Sequence, residues 1–520
     1  MKRRLYIILF ALILFIGCKG KVTDTKGPAK QTPTNIPELP YILQGDYTPD
    51  TGVMYKVIIG GDTCFVTVDS ISKDSIHGYY YQVVAGSNCV ERKKFVHDRH
   101  WKDKRHDALV YVYKEPEYKA KDDALFQRPT KKIKVQRDIE YGQALGYWCS
   151  KPGTQDDSYL QIALDCLTTA ITKTTQSLKM DVYMPDDTID NDKKHPLLLL
   201  LHGGGFLVGD KGDSAISGWC KHFASMGYVA VSANYRLGFF PTKNEITRTG
   251  YMALQDAHAA MRFMVDHAKY YNIDTSNIFV GGASAGSITA LNLAFMTDND
   301  RPQAVKGNRF RDMGTIASSG NSSHATFRIK ALANMWGAIT NLNMLKNSKT
   351  DIISFHGDQD MVVPYDKGYP FKDVSEKLGK RLFDLMYGSV QIDLRAKDLG
   401  LRSEFHSFKD QGHSLHRYSD GSWNQKNFEF IRDKMSAFFY EEIAGKKPNL
   451  EEDASDPRHI YIDAEGISDI AWHIDGGFIM KIDGNDIWVV WRDESNNRTV
   501  RASGINEKGF AFNIKKIIEK

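Results

Sequence analysis

The chain has 520 residues, of which 42% are hydrophobic and 25% charged, and a formal net charge of +4. That length exceeds one usual domain and easily buries a large core, and the ordinary composition excludes a polytopic membrane protein and wholesale disorder. The charge is too mild to argue for nucleic acid, so partners have to be read from sites and not from bulk charge.

The N-terminus departs from this ordinary composition. Lys2, Arg3 and Arg4 precede an apolar run over residues 5–17. The run is shorter than the roughly 20 residues a membrane-spanning helix needs, which predicts an export signal and not a stable anchor. It ends Leu14-Phe15-Ile16-Gly17-Cys18, which resembles a bacterial lipobox. The resemblance implies a signal peptide over 1–17, lipidation of Cys18, and a cell-envelope lipoprotein facing the periplasm or the cell surface. Residues 18–40 carry Pro28, Pro33, Pro37 and Pro40 among Lys, Thr and Gly, and read as a tether with little to bury. Export would place Cys64, Cys89, Cys149, Cys166 and Cys220 in an oxidising compartment. The local pairings expected are Cys64 with Cys89 and Cys149 with Cys166, leaving Cys220 as a buried helical thiol. No CxxC spacing suggests structural zinc.

Residues 41–130 show short alternating runs at 53–59, 64–68, 77–84 and 108–113 separated by Gly-rich turns, predicting a small β domain. From 131 to 446 the rhythm changes to strands alternating with helices, the pattern of a mainly parallel sheet with helices on both faces. Leu197 to Leu201 is unbroken and apolar, as a strand buried on both faces requires. Further strands are expected at 228–232, 277–280 and 351–355, and a helix carries Leu254, Ala257, Met261 and Met264. After an acidic linker, residues 456–520 alternate again and predict a second β module.

The chemistry-bearing motifs lie in the alternating region. Gly282-Ala283-Ser284-Ala285-Gly286 follows one predicted strand and precedes a helical pattern, the setting of a strained turn that exposes its serine. His202-Gly203-Gly204-Gly205-Phe206 closes the apolar strand, where glycines let backbone N–H groups approach a developing oxyanion. Together these motifs resemble the carboxylesterase and hormone-sensitive-lipase-like branches of the α/β-hydrolases. The resemblance implies an α/β-hydrolase fold over 131–446 and an oxyanion hole made by the N–H groups of Gly204, Gly205 and Ala285. The segment His356-Gly357-Asp358-Gln359-Asp360-Met361-Val362-Val363-Pro364 is similar to the family's HGxxDxxVP, which assigns the acid to Asp360 and leaves Asp358 a solvated turn residue. Gly412-His413 is similar to its Gly-His ending and assigns the base to His413, with His416 as the rival. His202 is expected to be structural. The resemblance thus implies a Ser284–His413–Asp360 acyl-enzyme mechanism that requires no metal or organic cofactor.

The expected substrate is a small acyl ester, with acetyl or feruloyl groups on polysaccharides as candidates. Two other readings stand beside it: a serine peptidase of the same fold, and a glycan-binding or adhesion lipoprotein on an esterase-like fold. The loop 235–250 is short and charged and the insert 365–401 looks too polar for an acyl tunnel, which predicts an open site with a small pocket for acetyl to butyryl or a planar aromatic acyl group. His97, His100 and His106, set among cations, read as a solvated edge and not a metal cluster. Tyr79, Tyr80 and Tyr81, with Trp488 and Trp491, are candidates for sugar stacking, although strand alternation would bury the middle tyrosine. Oligomeric state is not legible.

Overall fold

The computed structural model describes residues 50–59, 62–73, 75–83, 88–98, 108–121, 125–150, 173–186, 194–307, 311–372, 376–492 and 495–519. The expected signal peptide over 1–17, Cys18, the expected tether over 18–40, Cys166, His100 and His106 lie outside the described residues. The chain divides into two compact units, Ala124–Gly445 and a second made of Met1–Asp123 with Lys446–Lys520.

Ala124–Gly445 is built on an eight-stranded sheet. Its strands are β1 (Ile133–Gly146), β2 (Thr174–Pro185), β3 (His195–Leu201), β4 (Val229–Ala233), β5 (Ile273–Ala283), β6 (Ala331–Met335), β7 (Asp351–Gly357) and β8 (Ser403–Phe408). They lie in the order β8-β7-β6-β5-β3-β4-β2-β1. The pairs β1–β2 and β2–β4 are antiparallel, and from β4 to β8 every pair is parallel. The long β1–β2 ribbon has no counterpart in the expected strands, because its half-exposed pattern carries Lys, Gln, Arg and Glu between the apolar residues. Among the described residues the helices are α1 (Ser214–Ser225), α2 (Lys243–Asp266), α3 (Ala285–Phe295), α4 (Glu376–Leu382), α5 (Ser389–Asp398) and α6 (Gln425–Ala444). Leu197 to Leu201 are all buried, which is the burial on both faces that the apolar run demanded.

From β3 the chain passes through α1 to β4 on one side, then through α2 to β5 on the other. Strand order therefore reverses at β3 and β5, and a crevice opens beyond their carboxyl ends. The middle of α2 is tied to the segment just after β4 by a buried ion pair. Asp256 accepts from the Arg236 amide at 2.8 Å and from its guanidinium Nη2 at 2.7 Å.

The other unit corrects the expected division at both ends of the chain. The segments before and after the α/β region are rich in strands as expected, but they are not two separate modules. Trp491 and Arg492, in the strand Asp486–Arg492, pair in parallel with Cys89 and Val90 of Cys89–Asp98, so N- and C-terminal segments share one nine-stranded sheet. Phe65, Tyr81 and Val90 pack with Phe478 and Val490 in one core. Alternation is a local signal and cannot reveal which distant strand completes a sheet. Cys89–Asp98 itself escaped notice because its sequence, CVERKKFVHD, reads as a charged stretch.

Both expected cysteine pairings are overturned. Cys64 pairs in register with Gln82, and Gln82 with Glu91, so one strand separates the strands of Cys64 and Cys89. Two strand spacings come to roughly 9.5 Å, beyond the roughly 7 Å limit between the α-carbons of a disulfide. Cys149 is a free thiol and donates to the Ser177 carbonyl at 3.2 Å. Cys220 is a free, buried thiol in α1, as expected, and burial raises its pKa. The candidate stacking rings are buried or already covered. Tyr80, Tyr81 and Trp491 are buried, Arg92 lies 3.6 Å from the Tyr79 ring centroid, and Trp488 sits between His459 and Lys481.

Candidate active site

Ser284 joins the end of β5 to the start of α3. Its backbone is in the left-handed region, at φ 55° and ψ −119°, an unusual conformation for a residue with a side chain. The flanking glycines are required by close approach. A Cβ on Gly282 would lie 2.3 Å from the Gly286 carbonyl carbon, and one on Gly286 would lie 2.3 Å from the Leu201 oxygen. The strand β3, the turn and the helix therefore press on one another, and the serine stands out of the sheet.

Two loops meet it. Asp360 follows β7 and His413 follows β8, and parallel pairing of these strands brings the loops together. Oγ of Ser284 lies 2.8 Å from Nε2 of His413, and Nδ1 of His413 lies 2.7 Å from Oδ2 of Asp360. The other carboxylate oxygen accepts from the amides of Val362 at 2.8 Å and Val363 at 2.9 Å. Burial alone would raise the Asp360 pKa. The charge of His413 and hydrogen bonds from His356 and His413 outweigh it and hold the carboxyl well below the usual range. Asp358 is half-buried and not simply solvated: its carboxylate accepts from the Asp410 amide at 2.8 Å and clasps the acid loop to the histidine loop.

His416 is a packed ring apart from this chain of contacts. It stacks on Trp336 at 5.4 Å and meets Trp423 edge-on, and burial pushes its pKa down to about 4. His202 stacks on Tyr235 at 4.4 Å, and the Tyr235 hydroxyl donates to the His202 carbonyl at 2.7 Å. These contacts fix the glycine loop. Gly204 takes φ 113°, and a Cβ there would meet the Val208 oxygen at 2.1 Å, so only glycine fits. The same loop passes Ser284 closely enough that a Cβ on Gly203 would stand 3.4 Å from the serine Cβ.

A buried polar network behind Asp360 was not foreseen. His356 Nε2 lies 3.1 Å from Asp360 Oδ2, and its Nδ1 lies 2.8 Å from the Ser389 hydroxyl. Asn334 donates to that hydroxyl at 2.9 Å and accepts from Ser287 at 2.7 Å, one turn along α3 from Ser284. The acid and the serine helix are thus tied together through β6, β7 and α5. His356 was visible in the quoted motif, but Ser389 and Asn334 belong to no local pattern.

In front of the serine lies a cavity of about 140 Å³ lined by Gly205, Ser284 and Ala285. Its apolar wall comes from Ile246, Tyr251 and Leu254 on α2 and from Ile288 and Met296 on or beside α3. The insert after β7 supplies Pro370, Phe371, Leu382, Phe383 and Met386. This corrects the expectation that the flanking segments are too polar to offer an apolar wall. The charged residues of the insert coexist with an apolar face, and residues 243–250, expected as loop, form the first turns of α2.

This architecture defines the class by its fold: Ala124–Gly445 has the mainly parallel sheet, crossover helices and strand–Ser284–helix turn of an α/β-hydrolase. The family model described as BD-FAE matches residues 180–354, a span that holds Ser284 and stops short of Asp360. Gut esterase 1 of Caenorhabditis elegans is 28% identical over 145 residues, covering 27% of this chain and 23% of that protein. The neuroligin-like protein glit-1 of the same organism is 28% identical over 158 residues, covering 30% and 20%. Esterase LipI of Mycobacterium tuberculosis is 31% identical over 137 residues, covering 26% and 35%. The chain therefore spans only about a quarter of the length of the curated relatives it matches. A structure of Thermogutta terrifontis esterase 2 phosphonylated by cyclosarin is 19% identical with a TM-score of 0.35, covering 51% of this chain and 89% of that one.

Proposed function

We propose that the protein is a serine carboxylic-ester hydrolase acting on small acyl esters. The observation that carries this reading is the Ser284–His413–Asp360 hydrogen-bond chain at the mouth of the apolar cavity. Ser284 Oγ attacks the ester carbonyl carbon while its proton passes to His413 Nε2. Asp360, ionised, holds the tautomer with the proton on Nδ1 and stabilises the imidazolium. The carbonyl electron pair collects on the oxyanion, facing the N–H groups of Gly204, Gly205 and Ala285. The last of these opens α3, where the helix dipole favours negative charge. Collapse breaks the ester C–O bond, the alcohol leaves with the proton from His413, and water then releases the acyl group through the same base.

The cavity sets the acyl group. An apolar cavity of about 150 Å³ accommodates a benzene-sized molecule, so this one takes about six carbon atoms or one planar ring. Each buried CH₂ contributes about 0.8 kcal/mol while wall remains to receive it. On p-nitrophenyl esters kcat/KM is expected to rise from acetate to about hexanoate and then fall. A rate still rising at decanoate would replace this reading with a lipid substrate. Acetylated and feruloylated oligosaccharides, assayed beside these esters, test the proposal that the alcohol half is a polysaccharide.

The envelope-lipoprotein assignment rests on the N-terminal sequence. Cys18→Ser is expected to shift the protein from the detergent-soluble membrane fraction to the soluble or unprocessed fraction, since the lipid supplies the affinity. Unchanged partition would indicate a retained signal anchor.

A further inference from the structure

We infer that Gly250 sets the length of the acyl group that the pocket accepts, an inference that rests on the ester-hydrolase reading and deepens it. Gly250 lies inside the helix α2, where glycine weakens the helix relative to alanine. Neither of the usual structural reasons for glycine applies. Its φ is not positive, and a Cβ built on it would meet no atom within 4 Å, in contrast to the collisions at Gly282 and Gly286. Gly250 instead faces the cavity, flanked on the same helix by Ile246, Thr247, Tyr251 and Leu254.

The missing side chain is therefore cavity space. The helix cannot slide inward to fill it, because its neighbours are tied down. Thr249 Oγ1 donates to the Gly238 carbonyl at 3.0 Å, and the Tyr251 hydroxyl donates to the Gly314 carbonyl at 2.9 Å. A leucine at this position projects a four-carbon side chain into a space of about 140 Å³, displacing the distal carbons of the acyl group and leaving the carbonyl end at Ser284.

The test compares wild type with Gly250→Ala, Gly250→Met and Gly250→Leu, measuring kcat/KM on p-nitrophenyl acetate and hexanoate and the binding of hexanamide by calorimetry. The hexanoate-to-acetate ratio is expected to fall in proportion to side-chain size, by about tenfold in the leucine variant, as the loss of roughly two buried CH₂ groups dictates. Hexanamide affinity falls in step. The methionine variant, unbranched and a good helix former, decides the matter should leucine fail to fold. A folded leucine or methionine variant with an unchanged ratio overturns the inference while the hydrolase reading stands. Wild-type protein inactive on every ester overturns the hydrolase reading. The hexanamide measurement still decides the pocket, since loss of binding with size supports the inference and unchanged or absent wild-type binding overturns it.

Discussion

Ser284→Ala is expected to fold normally and to lose ester hydrolysis by a factor on the order of 10⁶ in kcat, the loss seen when the serine of such a triad is removed from a protease. The loss is this large because the hydroxyl forms the covalent bond, and Ser284 is the hydroxyl that His413 Nε2 meets, at 2.8 Å. His413, 2.8 Å from Oγ, retains its contact with Asp360 but has no proton to accept. The oxyanion donors and the cavity remain, so a residual rate above water is expected. Folding is preserved because the strain of the turn lies in the backbone and its glycines, and alanine removes one oxygen without adding volume. The check is kcat on p-nitrophenyl butyrate together with a melting curve. A folded variant retaining more than a few per cent of activity, about 10⁴ above the expected residual, places the nucleophile elsewhere.

Asp360→Asn is expected to lower kcat by about 10⁴, whereas Asp358→Asn costs little. The geometry of the acid dictates why. One oxygen of Asp360 is committed to the Val362 and Val363 amides, so the asparagine must place its carbonyl there. Its NH₂ then points at His413 Nδ1 and His356 Nε2, both of which donated before. His413 is driven to the tautomer whose Nε2 carries the proton, and that nitrogen can no longer take one from Ser284. At position 358 the acceptor for the Asp410 amide is retained in asparagine, so the clasp between the loops survives. The variants are compared by kcat with circular dichroism as the folding control. A reversed ranking would reassign the acid.

Both substitutions fall in motifs that the sequence displays on its own. Ser284 was legible because its motif answers a local steric demand, and Asp360 and His413 because their segments resemble the HGxxDxxVP and Gly-His endings of the family. The demand is for small residues where β5 and α3 crowd the serine, and for glycine where a loop must approach it. The buried run of β3 and the amphipathic spacing of α2 were legible on the same grounds, since the period of burial is written into neighbouring residues. His356 lay within a motif without revealing its partner. Its hydrogen bond to Ser389 spans 33 positions, and Asn334 meets Ser287 across 47, so only the folded sheet brings them together.

The sequence by itself determined the fold class and the order of the motifs, through local sterics, periodicity and the resemblance those motifs carry. Only the tertiary structure decided the shape of the pocket, the union of the terminal strands in one sheet and the fate of the cysteines. Each of those depends on which distant segment lies alongside another. The polar insert turns an apolar face to the serine, Cys89–Asp98 finds its partner in Asp486–Arg492, and an intervening strand keeps Cys64 from Cys89. Composition averages over such faces, and loop closure costs so little per added residue that sequence separation sets no useful bound on contact.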